Sequence, residues 1–198
     1  MLPFFKRPVA DSNTVRADIL WRQGSKLLEQ RKYDKAISSM REAYEIEPTR
    51  LEGRLNLGAA LYLTQHYEEA ATHLNYVLAF DPQNSMALLN LAACYDALGR
   101  MDQSIATLEK LVADRPQWKD AHYNLGVAYF KQELYEKAVD ALKAELQLTP
   151  NHEAARTLLN KIYLLPPSKT HIGEAGAPSP AVDSLSVGAP PGFQVDHK

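Results

Sequence analysis

Apolar side chains recur along this chain at intervals of three and four, the spacing of one face of an α-helix. Leu57 and Leu61 share one such stripe, and Ala70, Leu74 and Val77 share another. They predict a helix near residues 51–64 and a second near 67–80. The same pair of stripes returns with a period of 34 residues. Leu57-Gly58-Ala59-Ala60-Leu61-Tyr62 is matched one period later by Leu91-Ala92-Ala93-Cys94-Tyr95-Asp96, and after another by Leu125-Gly126-Val127-Ala128-Tyr129-Phe130. Gln23-Gly24-Ser25-Lys26-Leu27-Leu28 stands in the same place earlier. A small residue recurs in each second helix (Ala36, Ala70, Ser104, Ala138), with a large apolar one four positions on (Met40, Leu74, Leu108, Leu142).

Punctuation agrees with the pattern. Pro48, Pro82, Pro116 and Pro150 keep the 34-residue spacing, and a proline ring ends a helix because it cannot continue the hydrogen-bond ladder. Asp34, Glu68, Asp102 and Glu136 each open a second helix, where an acid meets the positive end of the dipole. Thr49 and Glu52 have the spacing of a capping box. Gly24, Gly58 and Gly126 fall in mid-helix and are expected to let two helices approach closely. The order and spacing resemble the tetratricopeptide repeat family over residues 17–152. That resemblance implies an all-α, right-handed helical-repeat solenoid. The expected units span residues 17–50, 51–84, 85–118 and 119–152. Residues 153–165 read as a capping helix, with Leu158, Leu159 and Ile162 available to cover the stacking face of the last unit.

Composition changes the picture mainly at the ends. Residues 166–198 are rich in Pro, Gly, Ser and Ala, and the expectation there is disorder. Residues 1–16 are expected to form a mostly irregular arm, with Thr14–Ala17 able to extend the first helix backwards. Leu2, Phe4 and Phe5 on that arm are followed by Lys6 and Arg7. The arm lacks the charge-then-apolar order of a secretory signal, and no apolar run reaches membrane-spanning length. The expected location is cytoplasmic. A formal net charge of −2 gives no electrostatic reason for nucleic acid as the main partner. Cys94 is the single cysteine, which excludes an intramolecular disulfide, and its register predicts a buried structural thiol.

The candidate chemistry is recognition, not catalysis. None of the six histidines stands at zinc-ligand spacing from Cys or acids, and no phosphate-cradling loop is present. No enzyme activity, cofactor or metal is expected. The family resemblance implies that first helices line a concave side. The candidate partner-binding residues there are Trp21, Leu28, Leu55, Asn56, Tyr62, Leu89, Asn90, Tyr123, Asn124, Val127 and Phe130. The stripe reads as apolar and aromatic with acids along one edge. Asn56, Asn90 and Asn124 form a ladder of amides, each able to donate to and accept from a peptide backbone. Relatives that bind chaperone C-termini carry a Lys/Asn/Asn/Lys/Arg clamp. The matching positions here are Trp21, Ser25, Asn56, Met86 and Asn90, and only Asn56 fits. The expected function is therefore a non-catalytic scaffold that holds an apolar or amphipathic protein segment, with no nucleic-acid partner and no stable membrane insertion. The alternative is self-assembly through solenoid ends or the arm, with homo-oligomers possible. RNA binding and an accessory role beside an enzyme rank lower.

Overall fold

The computed structural model describes residues 11–166. The expectations for the first ten residues and for the tail beyond Pro166 lie outside them. Among the described residues there are nine α-helices and no strand: α1 (Ser12–Glu29), α2 (Tyr33–Ile46), α3 (Leu51–Leu63), α4 (Tyr67–Phe80), α5 (Ser85–Ala97), α6 (Met101–Asp114), α7 (Ala121–Lys131), α8 (Tyr135–Leu148) and α9 (Glu153–Tyr163). The fold is an all-α helical repeat of the solenoid class. Residues 12–16, assigned from sequence to a mostly irregular arm, are helical, so α1 begins earlier than its repeat register.

Two compact halves divide at Phe80 and Asp81. In the N-terminal half α1 pairs with α2, α3 pairs with α4, and α2 also packs on α3. The C-terminal half repeats this with α5 on α6, α7 on α8 and α6 on α7, and then adds α9 against α8. The register residues form the cores. Ala36, Met40, Leu57, Leu61, Ala70 and Leu74 are fully buried in the first half, as are Leu111, Ala138, Leu142 and Ile162 in the second. Cys94 is buried as expected, and burial pushes its thiol up to about 12.

The packing glycines have a steric reason. A Cβ on Gly24 would stand 2.5 Å from Met40 Cγ, one on Gly58 would stand 3.0 Å from Leu74 Cγ, and one on Gly126 would stand 2.8 Å from Leu142 Cγ. The third repeat has Ala92 in this slot and Ser104 where the others have Ala. There the Ser104 hydroxyl donates to the Ala92 carbonyl at 2.9 Å, across the α5–α6 contact.

Helix ends follow a rule the sequence hid. Arg31, Gln65, Gly99 and Glu133 all have positive φ, between 58° and 71°. They too stand 34 residues apart. Each ends a first helix with crossed backbone bonds: Gln65 N–H donates to Tyr62 O and His66 N–H to Leu61 O, both at 2.9 Å. The other three turns repeat this pairing. Only one of the four is glycine, although a left-handed backbone costs an L-residue about 1–2 kcal/mol. Gln65→Gly and Glu133→Gly are therefore expected to stabilise the chain by roughly 0.5 kcal/mol each, since added unfolded-state freedom offsets part of the relief. Urea denaturation followed by circular dichroism checks this.

The expected Thr49–Glu52 capping box does not form. The cap of α3 is Arg50, with no side-chain bond to the helix. Arg50 instead bonds Asp18, and that hydrogen bond holds the Asp18 carboxyl below its ordinary range. A different device recurs at these junctions. Arg54, His122 and Arg156 each bond the carbonyl of the repeat proline six positions earlier, Pro48, Pro116 and Pro150. Leu88 fills that slot in the third repeat and has no donor to offer.

Candidate functional site

In the N-terminal half, α1 and α3 lie side by side, and the register places Trp21, Ser25 and Asn56 facing one another. A Cβ on Gly53 would come within 2.6–2.8 Å of three atoms of the Trp21 ring. The indole therefore lies directly against the α3 backbone, where only glycine leaves room. Asn56 donates through Nδ2 to Ser25 Oγ at 3.1 Å. Its Oδ1 and the Trp21 Nε1 are buried and have no partner.

These side chains belong to a cleft of about 300 Å³ whose rim carries Arg22, Lys26, Glu29, Arg50 and Glu52. Arg50 is held by Asp18, by Glu47 at 3.5 Å and by Glu52 at 4.0 Å. Here the sequence reading needs correction: the stripe was expected to be apolar with acids along one edge. Arg22, which fills in the first unit the slot of Asn56, Asn90 and Asn124, reaches the cleft together with Lys26 and Arg50, so its rim is of mixed charge and carries three cations.

The other expected residues separate by burial. Leu28 and Leu55 in the first half, and Leu89 and Asn90 in the second, are buried like Trp21 and Asn56. Tyr62, Tyr123, Asn124, Val127 and Phe130 are half-exposed. Tyr62 packs on Tyr67, with ring centroids 5.4 Å apart. In the second half Phe130 meets Tyr135 at 5.8 Å and Lys161 Nζ at 5.1 Å. The amide ladder is not uniform: Asn56 lacks a partner on its carbonyl oxygen, whereas Asn124 lacks one on its Nδ2.

A second polar group escaped the search by spacing. Among the described residues, Asp120, Glu145 and His152 form the one group of at least three such side chains placed to hold a metal ion, with donor atoms within 4.8 Å of one another. They come from the start of α7, the end of α8 and the cap of α9. His152 Nδ1 accepts the Ala155 N–H at 3.1 Å, as Asn84 accepts that of Ala87 two helical pairs earlier. Nε2 therefore carries the ring proton and faces Asp120 Oδ1 at 3.2 Å. Tyr123 packs on the imidazole with ring centroids 4.6 Å apart and planes tilted by 36°. Burial, with Asp120 adding to it, pushes the Tyr123 hydroxyl above its ordinary value.

No helix among the described residues is long and apolar enough to cross a membrane. Comparison with known proteins agrees with the repeat architecture. Tetratricopeptide repeat family models match residues 27–75 and 65–122, and another matches 95–153. No curated protein sequence matches. Among solved structures, MamA from Desulfovibrio magneticus RS-1 superposes with a TM-score of 0.71 at 23% identity, over 79% of this chain and 86% of that one. A second MamA crystal structure gives 0.69 at 21%, over 75% and 81%. YrrB, a tetratricopeptide repeat protein, gives 0.68 at 22%, over 75% of each chain. At these identities the likeness concerns the fold. The family models cover most of the chain between residues 27 and 153, and the chain belongs to the tetratricopeptide repeat family.

Proposed function

We propose that the protein is a non-catalytic interaction scaffold that holds an extended, amphipathic protein segment in the α1–α3 cleft. One observation carries this reading: the cleft buries an indole N–H and an amide oxygen, neither with a partner. A buried polar atom without a partner costs about 1–3 kcal/mol. Both atoms are closed off from water, so a docking segment reaches them once the Trp21 and Asn56 side chains turn toward the cleft; a peptide carbonyl then accepts from Trp21 Nε1 and a peptide N–H donates to Asn56 Oδ1. Backbone recognition of this kind tolerates many sequences. Selectivity then comes from the rim, where Arg22 and Lys26 favour an acidic side chain beside the docked backbone, at long range and in a salt-dependent way. The tetratricopeptide architecture supports a binding role, and YrrB, similar in fold, is described as having an unusual peptide-binding site.

Selection of a random peptide library on the full chain tests the reading. Enriched peptides are expected to bind Asn56→Leu at least about tenfold more weakly, the worth of one well-made hydrogen bond to a buried group. The pair Arg22→Glu and Lys26→Glu is expected to weaken acidic peptides specifically. Equal affinity for all variants would place binding on another surface, and a selection without enrichment would sink the peptide-binding reading.

A further inference from the structure

We propose that Asp120, Glu145 and His152 form a binding site for a divalent metal ion of the zinc class. Positions 43, 77, 111 and 145 are equivalent, and the first three hold Ala43, Val77 and Leu111, all buried. The fourth holds Glu145, only 1% exposed. A carboxylate at a core position is costly unless it is paired or bound to a metal. Among the described residues neither Glu145 nor Asp120 has a Lys or Arg partner. The N-terminus of α7 offers Glu145 only the Tyr123 N–H, at 3.3 Å to Oε2. The Oε1 atom is buried with no partner at all. A fold that needed only to fill this slot would use an apolar residue, as it does in the other three repeats.

The surrounding chemistry fits a cation. Two carboxyl groups and one imidazole supply two oxygens and a nitrogen, a donor set suited to zinc and its neighbours more than to magnesium. Zinc holds such donors at about 2.0–2.2 Å, so adjacent tetrahedral ligands stand roughly 3.3 Å apart. His152 Nε2 and Asp120 Oδ1 stand 3.2 Å apart already. The Glu145 donor lies within 4.8 Å of both, so a shift of its side chain closes the triangle. Tyr123, packed against the imidazole, restrains the ring. Water would fill the remaining coordination position.

Coordination through Nε2 has a defined proton balance. The ring proton leaves Nε2 and resides on Nδ1, so the Ala155 amide loses its acceptor. Metal binding is therefore expected to shift the His152 ring signals and the Ala155 amide signal together in NMR spectra.

The test is titration of the full, metal-free chain with zinc chloride, read by calorimetry and by thermal melting. The wild type is expected to bind saturably and to melt at a higher temperature with zinc, while magnesium chloride gives little. Two variants keep the fold. Glu145→Leu copies Leu111 and is expected to be no less stable than wild type without metal. His152→Asn copies Asn84, which caps α5 through the same bond. Each is expected to lower zinc affinity at least about tenfold, the low end for disturbing a metal site. Wild-type affinity in either variant, or no saturable uptake by the wild type, would overturn the proposal.

Discussion

Leu142→Ala is expected to cost about 2–5 kcal/mol, and in that background Gly126→Ala should change from harmful to helpful. Leu142 is fully buried, so truncation removes transfer energy and leaves a cavity. The Gly126 Cβ position lies 2.8 and 2.9 Å from two atoms of that side chain, and 3.4 Å from the Ala138 carbonyl oxygen. In the wild type the new methyl forces Leu142 aside, an overpacking penalty of roughly 1–3 kcal/mol. That exceeds the gain of about 1 kcal/mol from replacing a mid-helix glycine with alanine. Once Leu142 is gone, the methyl enters vacated space and only the helix gain remains. The two changes are thus coupled with opposite sign, which a double-mutant cycle by urea denaturation measures. Additive effects would show that the glycine serves something other than this contact.

The second large effect belongs to Arg54. Its guanidinium is buried, lies 3.4 Å from the Tyr76 ring centroid and 4.8 Å from that of Tyr44, and bonds the Pro48 carbonyl. Arg54→Ala should cost about 2–4 kcal/mol, combining a desolvated cation–π contact with an orphaned carbonyl. Arg54→Lys should lose much of the same amount, because a point charge cannot lie flat on two rings while bonding the proline carbonyl. His73 provides a local readout. Its ring meets Tyr44 edge-on at 5.2 Å, and burial first, then Arg54, lowers its pKa below the ordinary 6.5. As pH falls through 6.5 the unfolded chain takes up a proton that native His73 refuses, so stability declines until the native value is reached. Removing Arg54 should raise the native His73 pKa and weaken that decline. NMR titration of His73 in both proteins, with melting curves across the same pH range, tests the two statements together.

The repeat pattern was legible because packing repeats it. A slot that touches the same neighbours in every unit keeps the same size of side chain, as Gly58 and Gly126 do against Leu74 and Leu142. Backbone conformation left a weaker trace. The left-handed turn ends hold Arg31, Gln65 and Glu133 as well as Gly99, and reading glycine as the only marker of such a turn misses three of them. The Thr49–Glu52 box failed for a related reason. Spacing identifies which side chains could bond a helix end, but Arg50 occupies the cap and binds across to Asp18. Of the cleft, the residues on its floor and Arg22, in the amide-ladder slot, were legible, and Lys26 and Arg50 on its rim were not. Those two long side chains reach it from positions outside the stripe. Glu145 was legible in principle, as the one charged residue in a slot that otherwise holds Ala43, Val77 and Leu111. A search for ligand spacing within a segment passes over a site whose parts come from three separate helix ends.

One buried atom gives this chain a clock. Cys94 is its only thiol, and it reacts with an alkylating reagent only when exposed and deprotonated. Native Cys94 meets neither condition. Each labelling event therefore records an excursion in which the packing over this face of α5 opens. When reclosing outruns the reagent, the observed rate divided by that of a free thiol is the equilibrium constant for opening. Followed in the presence of a docked peptide or a metal ion, the same ratio would tell whether occupancy at the α1–α3 cleft or at the α7–α9 junction changes how often the third repeat breathes.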